Sequence, residues 1–313
     1  MYPDAARPYN GIFIAEQAAA IQRFHPDVDI DVCFIDGEKG KMEYLRSVRY
    51  VNQLIRKGTY DLVHIHFGLS GLYLLSPFKQ KVPTIVTFHG SDIQPEGGNG
   101  WLTIHLSQYV ARKADFCITL NEHMDSLVRR YNKHTTIIPC SVDMDLFRPI
   151  TVKKQDEEKG VKIVFPCNRG MWVKDYPLFE RVLHILSTQY GIACESVTME
   201  NLSRAQVAEL MNTADVLLMT SHAEGSPQAV KEALACNLPI VSTPVGDVKE
   251  LLQGVKDCYV ATTREAEELA TLVIQSLQRK GKGIKGRERL TDLHLDAHSV
   301  ADKIYSIYEQ SLH

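Results

Sequence analysis

Residues 221–252 read SHAEGSPQAVKEALACNLPIVSTPVGDVKELL, and they follow a short apolar run, DVLLM, at residues 215–219. A continuous apolar run of this length predicts a strand buried on both faces, and Ser226 followed by Pro227 predicts the N-cap and first residue of a helix. The first turn of such a helix offers unpaired N–H groups, and Gly225 lets a ligand approach the backbone. The stretch therefore predicts a strand, a loop and a helix that bind an anion, most naturally a diphosphate.

Two glutamates, Glu224 and Glu232, stand on either side of the predicted helix start. Glu224 follows the carboxyl end of the strand, where open α/β sheets bind ligands. Glu232 lies inside the helix, where a carboxylate can accept two hydrogen bonds from a vicinal diol such as a ribose. An acidic residue near a helix start also complements the helix dipole, and for Glu232 alone both interpretations stay open.

The segment resembles the E-x7-E signature of retaining glycosyltransferases of family 4, which have the GT-B fold, and it continues with that family's EALAC, LP and IVST elements. In that family the first Glu lies by the donor sugar and the second holds the nucleotide ribose, which implies these roles for Glu224 and Glu232. The resemblance extends over essentially the whole chain. It implies an α/β protein with two Rossmann-like domains whose parallel sheets face a central cleft.

Length and alternation of strand and helix patterns agree with two domains. The 313 residues are 44% hydrophobic and 23% charged, which fits about two globular domains of ~150 residues each. We expect an acceptor-side domain at residues 1–150 and a nucleotide-sugar-binding domain at residues 151–295. Residues 296–313 form a predicted helix that crosses back to the first domain in GT-B enzymes. The charged run KKQDEEK at residues 153–159 predicts a solvated hinge.

The start of the first domain departs from the family pattern. A doubly wound domain should open on a buried strand, yet residues 1–4 (MYPD) read as the loop that follows it. The pattern therefore predicts that the first strand of this domain is missing, with another strand at residues 28–35. Asn10 also replaces the first of two glycines that many family members have beside Gly11. These departures motivate an alternative function, a catalytically inactive protein that binds a sugar nucleotide or a partner.

A loop with two cations leaves the first strand of the second domain. Arg169 and Lys174, five residues apart in NRGMWVK, suit the two phosphates of a nucleotide diphosphate. From the residues alone they are as easily two solvated loop cations. The family's strand–GR…K–G loop places an Arg and a Lys on the leaving diphosphate, although Asp175 stands here in place of the following Gly.

A second polar cluster follows a buried strand in the first domain. The HGSD segment at residues 89–92 resembles the family segment in which the His lies beside the transferred sugar. This implies a sugar contact for His89 and, with less support, a role for Asp92. A turn whose Ser and Asp cap the next helix explains the same residues without a ligand.

Together, the resemblance implies a set of site residues and a reaction. The catalytic residues are His89, Arg169, Lys174 and Glu224, and the donor-binding residues are Gly11, Gly225, Ser226, Pro227 and Glu232. The donor is a UDP- or GDP-linked sugar, the acceptor is a sugar or a lipid-linked sugar, and neither a cofactor nor a metal is expected. Polysaccharide or glycolipid synthesis is the expected setting.

One rival function comes from histidine spacing. His64 and His66 place two imidazoles on one face of a strand, a geometry that can hold a metal. With His89 and Asp92 they motivate a metal-dependent hydrolase as a less favoured alternative. That function leaves Glu224 without a role.

Charge and cysteine usage indicate a cytoplasmic protein. The formal net charge of −3 gives no overall attraction to nucleic acid, and the seven scattered cysteines lack a C-x-x-C pair. No apolar stretch approaches the ~20 residues of a membrane-spanning helix, so membrane contact is expected to be peripheral. The basic amphipathic helix at residues 41–57, with Leu45 and Val51 on its apolar side, either contacts an anionic membrane or packs on its sheet as an ordinary surface helix.

Overall fold

The structure is a computed structural model that describes residues 2–3, 11–40, 42–77, 82–97, 100–150, 160–278 and 284–312. The chain divides into two compact units. The first consists of Met1–Ser141 with Ala297–His313, and the second of Val142–Asp296. None of the helices among the described residues combines the length and apolar character that crossing a membrane requires.

Helices and strands alternate along both units, which confirms the predicted α/β class. The helices are α1 Ile12–Phe24, α2 Met42–Lys57, α3 Trp101–Lys113, α4 Glu122–Val128, α5 Tyr176–Tyr190, α6 Arg204–Thr213, α7 Gln228–Ala235, α8 Val248–Leu252, α9 Ala266–Gln278, α10 Gly286–Asp292 and α11 Ala297–Leu312. The strands are β1 Val63–His66, β2 Thr84–Thr87, β3 Phe116–Thr119, β4 Thr135–Ile137, β5 Val161–Phe165, β6 Cys194–Thr198, β7 Val216–Met219, β8 Ile240–Ser242 and β9 Tyr259–Val260. A 3-10 helix at Gly68–Leu75 follows β1.

The division between the units falls after Ser141, whereas the sequence analysis placed a domain boundary after residue 150. The segment that follows Ser141 is hydrogen-bonded to the second unit, because Nη1 of Arg287 donates to the carbonyl oxygens of Met144 and Phe147. The predicted hinge at residues 153–159 lies outside the described residues.

The first unit contains a parallel sheet with strand order β1-β2-β3-β4. All four residues of β2 are buried, as expected for a strand covered on both faces. Successive residues of β2 point to opposite faces. Val86 packs with Val110 of α3, and Ile85 packs with Ile21 of α1 and Ile304 of α11. The C-terminal helix is thus part of the core of the first unit.

The strand predicted at residues 28–35 is wrong. Val28 and Ile30 pack against the layer formed by α1 and α11, but Val32 and Phe34 are 50% and 41% exposed. A strand requires a neighbour that completes its ladder of hydrogen bonds, and none of the described strands pairs with these residues.

Helix α2 differs from the prediction in the face that it buries. Val51 and Ile55 are buried as expected, but Leu45 is 56% exposed, and Met42 and Tyr50 are exposed as well. Because the basic side chains of α2 are exposed too, its outer face is both basic and apolar.

The second unit contains a parallel sheet with strand order β6-β5-β7-β8-β9. Its core lies on both faces of the sheet. Val164 and Leu217 belong to one apolar cluster, and their neighbours Ile163 and Leu218 belong to the other. Since all of these strands are parallel, the loops that follow their carboxyl ends emerge along one edge.

Gly286 at the start of α10 provides a test of this packing. A Cβ at this position would overlap the backbone of Leu234 in α7. We expect Gly286→Ala to lower the free energy of unfolding by about 2 kcal/mol, because a backbone cannot move aside as a side chain can. Urea denaturation measures the change.

Gly100 gives the matched control, since a Cβ there meets nothing within 4 Å. Gly100→Ala should change the free energy of unfolding by no more than about 0.5 kcal/mol. Equal effects of the two substitutions would contradict the close approach of α10 to α7.

Candidate active site

The two loops that carry Lys174 and Glu224 follow neighbouring strands of the second unit. β5 pairs with β7 in parallel, so the loops that follow them begin at the same sheet edge. Nζ of Lys174 donates to Oε1 of Glu224 at 2.6 Å, and the hydroxyl of Ser221 donates to the same oxygen at 2.6 Å. The structure therefore brings together two of the residues that the sequence assigned to the site.

The ion pair keeps Lys174 charged although it is largely buried. The side chains of Lys174 and Glu224 are 20% and 12% exposed. Burial is the largest single influence and would lower the pKa of Lys174, but the charge and hydrogen bond of Glu224, together with Cys167, raise the pKa overall. A protonated ammonium and an acceptor-only carboxylate thus lie side by side.

Asp175 explains the departure from the family's glycine. Its φ of 50° lies in the left-handed region, which glycine adopts freely and which Asp and Asn tolerate better than most residues. Asp175 also caps α5, because its Oδ1 accepts a hydrogen bond from N of Leu178. The position requires an unusual backbone conformation, and Asp satisfies that requirement while adding a cap.

Arg264, which the sequence analysis did not identify, joins the two loops. Its guanidinium contacts Oδ2 of Asp175 at 2.6 Å and donates to the carbonyl oxygens of Thr220 and Ser221. The hydroxyl of Thr220 in turn donates to the carbonyls of Lys174 and Asp175, at 2.9 and 3.0 Å. These contacts fix the backbone on both sides of the ion pair.

Arg169 lies apart from this network. Its guanidinium stands over the ring of Tyr176 at 5.0 Å, and its side chain is exposed. Within the described part of the chain it has no ion-pair partner. Its predicted contact with a phosphate stays a prediction.

The predicted cap at Ser226 is wrong. Helix α7 begins at Gln228, Pro227 occupies the N-cap position, and no side chain caps the helix. The hydroxyl of Ser226 instead donates to Oδ2 of Asp247 at 2.5 Å and accepts from Nζ of the fully buried Lys231 at 3.1 Å. A partner distant in sequence has displaced the local one.

Gly225 and Gly246 approach each other closely in this region. Gly246 has a φ of 55°, and a Cβ there would lie 2.6 Å from the carbonyl oxygen of Gly225. Burial raises the pKa of the adjacent Asp247 to about 6, although nearby Lys231 opposes the shift. The loop after Glu224 is therefore held by the close approach of Gly225 to Gly246 and by the hydrogen bond from Ser226 to Asp247.

Glu232 is buried in α7 and paired. Only 2% of the residue is exposed, and its Oε1 lies 2.5 Å from Nη1 of Arg204 at the start of α6. The guanidinium of Arg204 also stands over the ring of Phe147 at 4.6 Å. Arg204 is a second residue that the sequence analysis missed.

In the first unit, Gly11 occupies the N-cap position of α1 with a φ of 67°. This left-handed conformation accounts for a glycine there. Asn10 lies outside the described residues, and phosphate binding by Gly11 stays a prediction.

Three histidines of the first unit form a row. His64 stacks on His66 at 4.4 Å between ring centroids, and His66 stacks on His89 at 5.3 Å. Nδ1 of His66 lies 3.0 Å from Nε2 of His89. At the other end, the two ring nitrogens of His64 lie 2.7 Å from the hydroxyls of Tyr308 and Thr87.

Burial keeps these imidazoles neutral. It lowers the pKa of His66 to about 4 and holds those of His64 and His89 well below their usual range. A neutral imidazole carries one donor and one acceptor. Nδ1 of His89 is buried and has no hydrogen-bond partner among the described residues.

Asp92 accepts hydrogen bonds from the backbone of its own loop and of the segment after β1. Its two oxygens accept from N of Gly68 and N of His89, each at 2.9 Å, and burial raises its pKa to about 6. Across the residues that the structure describes, no group of three or more His, Cys, Asp or Glu side chains is arranged to hold a metal ion. The residues that motivated the metal-site alternative contact one another, neighbouring hydroxyls and the backbone.

Comparison with known proteins agrees with this architecture. Residues 6–146 match the profile of Glycosyltransferase Family 4, and residues 182–279 match that of Glycosyl transferases group 1. A curated relative, D-inositol 3-phosphate glycosyltransferase of Mycobacteroides abscessus, is 23% identical over 302 residues, which cover 82% of this chain and 67% of the relative. The chain spans from 57% to 72% of the length of the curated relatives that it matches.

Two solved structures show the same fold. Sucrose-phosphate synthase from Thermosynechococcus elongatus superposes with a TM-score of 0.75 at 16% identity, over 96% of this chain and 93% of that one. HepE of Anabaena in complex with UDP superposes with a TM-score of 0.68 at 14% identity, over 96% of each chain.

The histidine row predicts a pH-dependent stability. An unfolded His66 takes up a proton near pH 6.5, whereas the folded one does so only near pH 4. Its contribution to the free energy of unfolding should therefore be complete at pH 7 and fall as the pH drops towards 4. Lowering the pH from 7 to 5 should therefore reduce the free energy of unfolding of the unmodified protein by about 2 kcal/mol relative to that of His66→Gln. Urea denaturation at each pH measures it, and a constant difference would contradict the neutral imidazole.

Proposed function

We propose that this chain is a glycosyltransferase of family 4, whose model matches residues 6–146, and that it transfers a sugar from a nucleotide-diphosphate-sugar to an acceptor hydroxyl with retention of anomeric configuration. The observation that carries this proposal is the 2.6 Å contact between Lys174 and Glu224 at the edge of the second sheet. HepE, one of the structural neighbours, is in complex with UDP, which supports a nucleotide donor. The acceptor in this proposal is a sugar or a lipid-linked sugar, in polysaccharide or glycolipid synthesis.

Lys174 and Glu224 suit the two halves of such a donor. An ammonium binds phosphate oxygens, and a carboxylate accepts hydrogen bonds from sugar hydroxyls. Because the two side chains are in contact, a donor bound by both has the bond between its anomeric carbon and its diphosphate beside the pair. This is the bond that the transfer breaks.

The proposed reaction needs no nucleophile from the protein. The acceptor oxygen bonds to the anomeric carbon, the bond from that carbon to the diphosphate oxygen breaks, and a phosphate oxygen of the donor takes the acceptor proton. The departing diphosphate gains negative charge, which Lys174 and Arg169 stabilise without a metal or a cofactor. For His89 we propose a contact with the sugar through its unpartnered Nδ1.

The alternative of an inactive binding protein remains open to experiment. Asn10, one of the two features that motivated it, lies outside the described residues. The metal-dependent hydrolase has less support, since the ring nitrogens of His64 contact Tyr308 and Thr87. Calorimetry with UDP and GDP, followed by turnover of UDP- and GDP-linked sugars, separates transferase from binding protein.

Replacing Lys174 by Ala should lower donor turnover about 10²- to 10³-fold, because the charge that compensates the leaving diphosphate is lost. Turnover of the donor panel with a thermal melt of each variant measures this. The matched control is Lys285→Ala, which removes an exposed lysine paired with Glu288 on the surface of the same unit.

The same assay tests the finer parts of the proposal. Activity should survive EDTA, and proton NMR of the product should show the anomeric configuration of the donor. Turnover of Lys174→Ala within threefold of the unmodified protein would remove the assigned role. Binding of a nucleotide without turnover of any donor would favour the inactive alternative.

The outer face of α2 supports peripheral membrane contact in the same proposal. Met42, Leu45 and Tyr50 are exposed beside Arg49 and Arg56. Basic side chains attract anionic headgroups, and exposed apolar side chains insert at the headgroup boundary. A lipid-linked acceptor would then be reached at the membrane surface.

Charge reversal on α2 tests this contact. Arg49→Glu with Arg56→Glu should weaken binding to vesicles of anionic lipid at least about tenfold, since each basic residue near such a surface contributes about 1 kcal/mol. Lys249→Glu with Lys256→Glu, which alters two exposed residues of the other unit, makes the same charge change and should have little effect. Equal loss in both variants would indicate attraction by overall charge alone.

A further inference from the structure

Arg204 lies at the start of α6, where its side chain is held in place. Ser203 and Gln206 form a reciprocal capping box that fixes the start of α6, and Arg204 is the first residue of that helix. Its side chain then contacts Glu232 of α7 and the ring of Phe147. A planar guanidinium held by a fixed helix start and an aromatic ring has little freedom to move.

Glu232 depends on this guanidinium for its orientation. The Glu232 side chain is 3% exposed, and a carboxylate buried to this degree is stable only when it is paired and hydrogen-bonded. Arg204, which carries a permanent positive charge, supplies that partner. Each carboxylate oxygen can accept two hydrogen bonds, so a single oxygen that faces the ligand can accept from both of two adjacent hydroxyls.

The contact also leaves part of the carboxylate for a ligand. Nη1 of Arg204 engages Oε1 of Glu232, and among the described residues Oε2 has no protein partner. A side chain that served only to tie α6 to α7 would gain most from a two-oxygen contact with the guanidinium fork. The single-oxygen contact instead presents Oε2 in a fixed direction.

We infer that Arg204 is a positioning residue that holds the carboxylate of Glu232 in the orientation that accepts hydrogen bonds from the ribose hydroxyls of the donor nucleotide. This inference rests on the proposed function, because it requires a nucleotide at the second unit. It makes discrimination between ribose and deoxyribose a property of the Arg204–Glu232 pair.

Calorimetry with matched nucleotides tests the inference. The dissociation constants of UDP and 2′-deoxy-UDP, and of GDP and 2′-deoxy-GDP, give a discrimination ratio for each variant. For the unmodified protein we expect a ratio of about ten or more, as for a hydrogen bond to a charged acceptor. Arg204→Met should bring the ratio close to one, and Arg204→Lys, which keeps the charge, should retain part of it.

A purely structural role would give a different result. If Arg204→Met weakens ribose and deoxyribose nucleotides by the same factor, or the unmodified protein binds both equally, the inference is overturned. Glu232→Gln should remove the discrimination alone, and combining it with Arg204→Met should remove nothing more. Arg289→Met, which alters an arginine that donates to the carbonyl of Glu250 in the same unit, should leave the ratio unchanged.

Two controls keep the outcomes distinct. If Arg204→Met does not fold in a thermal melt, Arg204→Lys decides, because a ratio equal to that of the unmodified protein overturns the inference. If the unmodified protein binds none of the nucleotides, the proposed function fails and the inference fails with it. Nucleotide binding with an unaltered ratio in the Arg204 variants contradicts the inference alone.

Discussion

The guanidinium of Arg264 ties the loop after β5 to the loop after β7, through Asp175 on one side and the carbonyls of Thr220 and Ser221 on the other. Lys174 precedes Asp175, and Glu224 lies a few residues beyond Ser221. Two loops of a parallel sheet emerge at the same edge, but a shared edge does not by itself set the distance between their side chains. The arginine fixes that distance, and the ion pair of the site depends on it.

Three polar contacts in the second unit compensate buried charges. They are Lys174 with Glu224, Arg204 with Glu232, and Lys231 with Asp247 through Ser226. Removing one member of a buried pair leaves an uncompensated charge, which costs more than the pair contributes. A diphosphate that binds Lys174 therefore competes with Glu224. In the proposed function, the hydroxyls of the sugar would compensate the released carboxylate, so that donor phosphate and donor sugar would be recognised together.

The sequence predicts features that depend on neighbouring residues and fails for features that depend on residues distant along the chain. The C-terminal helix depends on a local signal, its apolar periodicity, and α11 lies within residues 296–313, where the sequence placed it. Ser226 had every local feature of an N-cap, yet its partner is Asp247, far along the chain. The strand expected at residues 28–35 failed for the same reason, because a strand exists only through a neighbour that its own residues do not specify.

Arg204 and Arg264 show why a motif identifies only part of a site. Both are arginines at or near the start of a helix, a pattern that occurs on many surface helices and predicts nothing about burial. Their roles come from the carboxylates and carbonyls that the fold brings to them. The candidate residues Lys174, Glu224 and Glu232 could be proposed from the family resemblance of their motifs, whereas the residues that orient them could not.

The histidine row of the first unit differs from the ion pairs of the second unit, because its buried polar groups are uncharged. A charge there would need a partner, and the row contains imidazoles that burial keeps neutral. Nε2 of His89 is engaged by Nδ1 of His66, so the proton on one ring determines which nitrogen of the other donates. The state of His89 Nδ1, as donor or acceptor, is thereby coupled to His66. A neutral imidazole fixed in this way can bind an uncharged hydroxyl without adding charge to its surroundings, which is the property that contact with a sugar requires.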